Sequence, residues 1–178
     1  MRGRSVFFFW CVFFACAGVC FSQGKAPAKE KLAAESGIGA ALLLGDIMGI
    51  SAKLWISEVS ALDAGAGWSL YRRTETLRTR GAPYAYIEYM RHFFNEVKTR
   101  TGKFVYFVGV GVEYAHNYYE DKYTDKLYYG VRLPFGLSYM FENSPFDIFL
   151  ETTPSIVFYF HGVTSDMGAC VGLRYWFR

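Results

Sequence analysis

Glu88 and His92 stand four residues apart, which places them on one face of a strand and pairs a carboxylate with an imidazole, the components of a general acid and base. Serines are available, but no nucleophile motif accompanies them, and a buried His beside a carboxylate commonly forms a satisfied structural pair. Three further sets of opposite charge recur along the chain: Lys53 with Asp63, Glu113 with Arg132, and Glu151 with Arg174. His92, His116 and His161 lack ligand spacing, so no metal is expected, and no cofactor motif is present. The chemistry on offer is charge pairing, and no enzymatic activity is expected.

The elements that must hold these residues read at period two. In Phe104–Tyr114 one face carries Phe104, Tyr106, Val108, Val110, Val112 and Tyr114, and the other carries Val105, Phe107, Gly109, Gly111 and Glu113. The pattern recurs near 50–57, 62–71, 130–140 and 169–177, and more weakly at 37–44, 84–94 and 146–154. These segments predict an all-β chain of eight antiparallel strands in an up-and-down barrel. Most of them approach the roughly 9–11 residues that a transmembrane strand requires.

The connections expected between them are 45–49, 58–60, 72–83, 95–102, 116–126, 142–145 and 155–165. Apart from the first, long and short links alternate, as they do when one end of a barrel carries tight turns. Pro134 and Pro154 fall inside strands, where each removes a ladder donor.

Of 178 residues, 52% are hydrophobic and 20% aromatic, yet 18 are glycine. That excludes disorder, and a formal charge of +3 with no basic patch argues against nucleic acid. Arg2 and Arg4 precede an apolar run from Val6 to Phe21, followed by Ser22 and polar residues, the layout of a signal peptide over 1–22. The run is short for a membrane helix of roughly 20 apolar residues. Cys16 and Cys20 match a lipid-attachment motif poorly. A polar lead follows over 23–35, then the barrel over 36–178. Removal of 1–22 leaves Cys170 as the lone thiol, so no disulfide framework is expected.

Alternation does not say which face is inside, and a soluble lipocalin-like carrier has the same period. The composition of the second face decides it. Repeated Gly beside Lys53, Asp63, Glu88, Glu113, Arg132, Glu151 and Arg174 suits a narrow eight-stranded interior, where long side chains fit only beside small ones. The Gly and charge face is therefore expected to line the lumen and the apolar face to meet lipid. In this register Glu113 opposes Arg132, Glu151 opposes Arg174, and Lys53 lies diagonal to Asp63. Lys53, Asp63, Glu88, His92, Glu113, Arg132, Glu151 and Arg174 form the expected lumen network, since buried charges persist only when paired. Tyr128 and Tyr129 are expected in an interfacial girdle.

The strand pattern, the leader and the ending Val171-Gly-Leu-Arg-Tyr-Trp-Phe177 resemble the small bacterial outer-membrane barrels of the OmpX and OmpW type. The resemblance implies a cell outer-membrane location and partners in outer-membrane lipid. It also implies a terminal signal of Val171, Leu173, Tyr175 and Phe177 read by the barrel insertion machinery, although Arg178 follows the aromatic residue. Passage of small hydrophobic molecules is implied only by the OmpW side. The expected function is a monomeric barrel with a packed polar lumen and a structural or surface-interaction role, or passage of small hydrophobic solutes. Alternatives are an adhesin-type binder of host surface molecules through loops 72–80 and 116–126, a barrel lipid-modifying enzyme built on Glu88 and His92, and the soluble lipocalin-like carrier.

Overall fold

The computed structural model describes residues 37–74, 77–94, 99–117, 126–159 and 162–177. The expected leader and lead, Tyr118, Tyr119, His161 and Arg178 lie outside them, as do most side chains of the two candidate adhesive loops. The described residues form β1 (Ile38–Gly45), β2 (Ile47–Trp55), β3 (Ser60–Thr74), β4 (Leu77–Phe93), β5 (Gly102–Asn117), β6 (Lys126–Arg132), β7 (Phe135–Phe141), β8 (Phe146–Tyr159) and β9 (Gly162–Trp176). Each pairs antiparallel with its neighbours, and β9 returns to β1, so the sheet closes into a ring.

β6 and β7 are two halves of one stave, which makes the barrel eight-stranded. Their registers against β5 are continuous, with Arg132 opposite Gly111 and Phe135 opposite Val108. Against β8 they are continuous too, with Arg132 opposite Ser155 and Phe135 opposite Thr152. The interruption at 133–134 has a local cause. Gly109 N–H donates to Pro134 O at 2.7 Å and Leu133 N–H donates to Pro154 O at 2.9 Å, but neither proline has an N–H to return the bond.

The faces are assigned by side-chain burial. Leu42, Ile50, Ile87, Val112, Leu150 and Val171 point outward, with Ile50 63% exposed. Lys53, Asp63, Glu88, Arg132, Asp147 and Arg174 point inward, with Arg132 1% exposed. The glycines make this interior possible. A Cβ at Gly65 would collide with the Tyr86 ring, one at Gly172 with the Phe149 ring, and one at Gly136 with the Phe107 ring. Each of these aromatic rings therefore lies across a glycine of the adjacent strand, where only a small neighbour leaves room for it.

Several expected connections are shorter in the structure. β3 and β4 continue through most of 72–83, with Arg73 opposite Arg78 and Pro83 within β4, so that segment is mainly hairpin and not loop. β8 and β9 likewise run through most of 155–165, with Tyr159 opposite Gly162. Ser155, Thr164 and Asp166 are the inward members of an alternation that keeps Val163 and Met167 outside, which masks the stretch as strand. The first link is the single residue Asp46.

These shifts change the expected charge pairs. Arg132 faces Gly111 and Glu113 faces Gly130, so the two are diagonal neighbours and not directly opposed, because β5 and β6 extend to Asn117 and Lys126. Glu151 faces Cys170 and Arg174 faces Asp147, because the β8–β9 hairpin closes tightly at its tip. Lys53 lies directly opposite Asp63 instead of diagonal, across a turn in which Ser60 N–H donates to Ser57 Oγ at 3.0 Å. Tyr128 is buried in the lumen, sharing parity with Gly130 and Arg132, so only Tyr129 of that pair meets the exterior.

Candidate functional site

The interior holds two linked charge clusters. The first centres on Arg132 of β6. Its Nε lies 2.8 Å from Glu88 Oε2, its Nη2 donates to Glu151 Oε1 at 2.7 Å, and its Nη1 donates to Tyr84 Oη at 2.9 Å. The Tyr84 hydroxyl in turn donates to Glu113 Oε2 at 2.5 Å, and Thr153 Oγ1 donates to Glu151 Oε1 at 3.0 Å. The planar cation of β6 therefore holds β4 and β8, with β5 joined through Tyr84, and its fork geometry suits simultaneous carboxylate and hydroxyl acceptors.

The second cluster centres on Asp63 of β3. Arg174 Nη2 donates to its Oδ2 at 2.7 Å, Lys53 Nζ lies 4.0 Å from the same oxygen, and Tyr86 Oη donates to its Oδ1 at 3.4 Å. Arg174 also lies 3.9 Å from Asp147 Oδ1, while Asp147 Oδ2 accepts from Trp176 Nε1 at 2.7 Å. Tyr86 joins the clusters: its hydroxyl bonds Asp63 while the Arg132 guanidinium stacks 4.0 Å above its ring. Arg174 repeats the arrangement 4.4 Å above Phe149. Guanidinium, ring and glycine thus form a three-layer stack twice, as Arg132–Tyr86–Gly65 and Arg174–Phe149–Gly172.

Toward the tight-turn end the lumen becomes aromatic. Trp55 stacks on Trp176 at 6.0 Å and packs on His92 at 4.4 Å, and His92 packs on Phe107 at 5.7 Å. His92 Nε2 lies 3.1 Å from Lys53 Nζ, and a lysine ammonium can only donate in that contact. Glu88 is engaged by Arg132, so the sequence-expected acid and base face different partners. Among the described residues no group of His, Cys, Asp and Glu could hold a metal ion.

The structure places all eight expected network residues inside the barrel, and it adds Asp147, Tyr84, Tyr86 and Trp176. Parity supplied the signal for Asp147, which lies four residues before Glu151 on the same strand.

Residues 81–175 match the sequence profile of a family described as Protein of unknown function (DUF3996). The chain belongs to that family. No curated protein matches it. Among solved structures, this DUF3996 chain is similar to the crystal structure of the N-terminal beta-barrel domain of Pseudomonas aeruginosa OprF. The identity is 13%, with 78% of this chain and 93% of that chain covered, and the TM-score is 0.47. The DUF3996 match runs from within β4 through β9 and so contains Arg132 and Arg174, together with Glu88, Glu113, Asp147 and Glu151, while Asp63 and Lys53 precede it.

Proposed function

We propose that this chain is a small, non-enzymatic outer-membrane barrel with a packed polar lumen, serving membrane structure or surface interaction. One observation carries the reading: apolar side chains cover the outside of a closed sheet whose interior holds the charges, the reverse of a soluble barrel. On β5 the outward face runs from Phe104 to Tyr114, about 33 Å along the strand and about 25 Å in height at the usual tilt. Aromatics flank it. Phe104 and Tyr139 meet at 4.9 Å, and Phe146 and Tyr175 at 5.2 Å, toward the tight turns; Tyr114 and Tyr129 meet at 5.7 Å toward the other end. On β5 Val108, Val110 and Val112 lie in the interval, apolar as a hydrocarbon layer requires.

The outward row Val171, Leu173, Tyr175 and Phe177 at the end of the chain supports recognition by barrel insertion machinery. The separation of Glu88 from His92 by different partners supports a non-enzymatic role, and the aromatic layer of Trp55, His92, Phe107 and Trp176 weighs against passage through the lumen. Fractionation of expressing cells tests the proposal: recovery with outer membranes, with heat-modifiable gel mobility, is expected. Recovery as a soluble protein would overturn it and favour the lipocalin-like carrier.

A further inference from the structure

We infer that Arg91 holds the phosphodiester of a phospholipid against the outer wall of the barrel, at its tight-turn end. The inference rests on the membrane reading proposed above and adds a specific lipid site to it.

Arg91 departs from the chemistry of the face it occupies. It continues the outward row of β4 after Ile87 and Tyr89, and among the described strand side chains it is the only charged one on that face. A charge turned toward lipid is costly unless something at the membrane answers it. The protein does not answer it: half-buried Arg91 makes no hydrogen bond or ion pair within the described residues, whereas Arg132 and Arg174 are each held by carboxylates.

Its level in the wall identifies the partner. Arg91 lies opposite Ser60, the first residue of β3 after the turn at 56–59, and opposite Val108 of β5. One outward position nearer the end, Phe93 lies opposite Tyr106. Arg91 thus stands at the inner edge of the aromatic belt, where its aliphatic stem can lie on apolar wall while the guanidinium reaches the headgroup layer. Phosphate is the anion of that layer, and a planar guanidinium takes it through two parallel N–H donors.

A further donor stands on the same row. Tyr89 lies opposite Leu62, yet its hydroxyl reaches down to Ser60, with the two oxygens 2.7 Å apart. One hydroxyl hydrogen is used between them, so the pair keeps the other for an outside acceptor, and Tyr89 is 42% exposed. Guanidinium and hydroxyl donors match the two free oxygens of a phosphodiester, while exposed Leu62 and Val110 suit its acyl chains. A second copy of the chain offers no such anion, because the outward strand face carries no carboxylate among the described residues.

Native mass spectrometry of the refolded full-length barrel, released from detergent micelles, tests the site. The separate arms are dioleoylphosphatidylcholine, dioleoylphosphatidylglycerol, dioleoylglycerol and inorganic phosphate. Saturable retention of either phospholipid is expected, with dioleoylglycerol lost for want of a phosphate and inorganic phosphate for want of acyl chains. Arg91→Gln is expected to weaken phospholipid retention about tenfold or more while keeping heat-modifiable gel mobility. Should that variant not fold, Tyr89→Phe, which removes only the hydroxyl, is expected to weaken it about threefold. Equal retention of dioleoylglycerol, equal binding of inorganic phosphate, unchanged retention in the folded variant, or a dimer signal that Arg91→Gln abolishes would each overturn the inference alone. A barrel that stays soluble without micelles would overturn the membrane reading and the inference with it, so the two failures are told apart.

Discussion

Arg132 Nη2 lies 2.7 Å from Glu151 Oε1, with both side chains almost wholly removed from solvent and the same guanidinium holding Glu88 on its other edge. The strength of this contact lies in what its loss would leave behind. Arg132→Met leaves two carboxylates side by side in the interior and is expected to destabilise the barrel by about 3–5 kcal/mol. The measurement is the urea midpoint of the gel-resolved folding transition. Adding Glu88→Gln and Glu151→Gln should recover part of the loss, and an unchanged midpoint for Arg132→Met would show that the network does not hold the staves together.

The ring-over-glycine contacts have a separate signature. Gly172→Ala forces Phe149 off its seat and with it the overlying Arg174, at an expected cost of about 1–3 kcal/mol. In a Phe149→Ala background the same change should cost much less, giving a clear coupling energy in a double-mutant cycle. Additive effects would mean that the glycine serves something other than the ring.

The aromatic layer of Trp55, His92, Phe107 and Trp176 occupies the tight-turn end of the lumen below the two ion clusters. Planar bilayers containing the refolded wild-type chain are expected to show no steady conductance steps. Regular ohmic steps would contradict a packed lumen.

The broken ladder at Leu133–Pro134 is also testable. Pro154→Ala supplies the donor that Leu133 O lacks, so slow hydrogen exchange at the new amide of residue 154 is expected. The stability change should stay within about 1 kcal/mol, since a net hydrogen bond of about that size is offset by greater freedom of the unfolded chain. Fast exchange at 154 would show that β6 and β7 are not one continuous stave.

Much of this fold was legible in the sequence, because a closed sheet with two chemically different faces writes its geometry at period two. Phe104–Tyr114 shows the alternation directly, and the Gly and charge face marks the lumen because only small neighbours leave room for Arg132 and Arg174. Register was less legible. It depends on where a hairpin closes, and the polar residues of 155–165 look like a loop while continuing two strands. The pairing of Arg174 with Asp63, whose strands β9 and β3 are separated by β1 and β2, is a property of the closed ring that no single hairpin encodes. Tyr128 reads as an interfacial aromatic by type and as a lumen residue by parity, and parity prevails because the pleat leaves no choice.

The orientation of the two faces is tested most directly with tryptophan fluorescence. Trp68 lies on the outward face and is 51% exposed, whereas Trp176 is 2% exposed in the lumen. Two single-tryptophan variants, one retaining Trp68 and one Trp176, with Phe at the other tryptophan positions, would be refolded into bilayers of brominated lipid. Strong quenching of Trp68 and little of Trp176 is expected. Strong quenching of Trp176 with Trp68 reached only by an aqueous quencher would contradict a barrel that turns its apolar face to lipid.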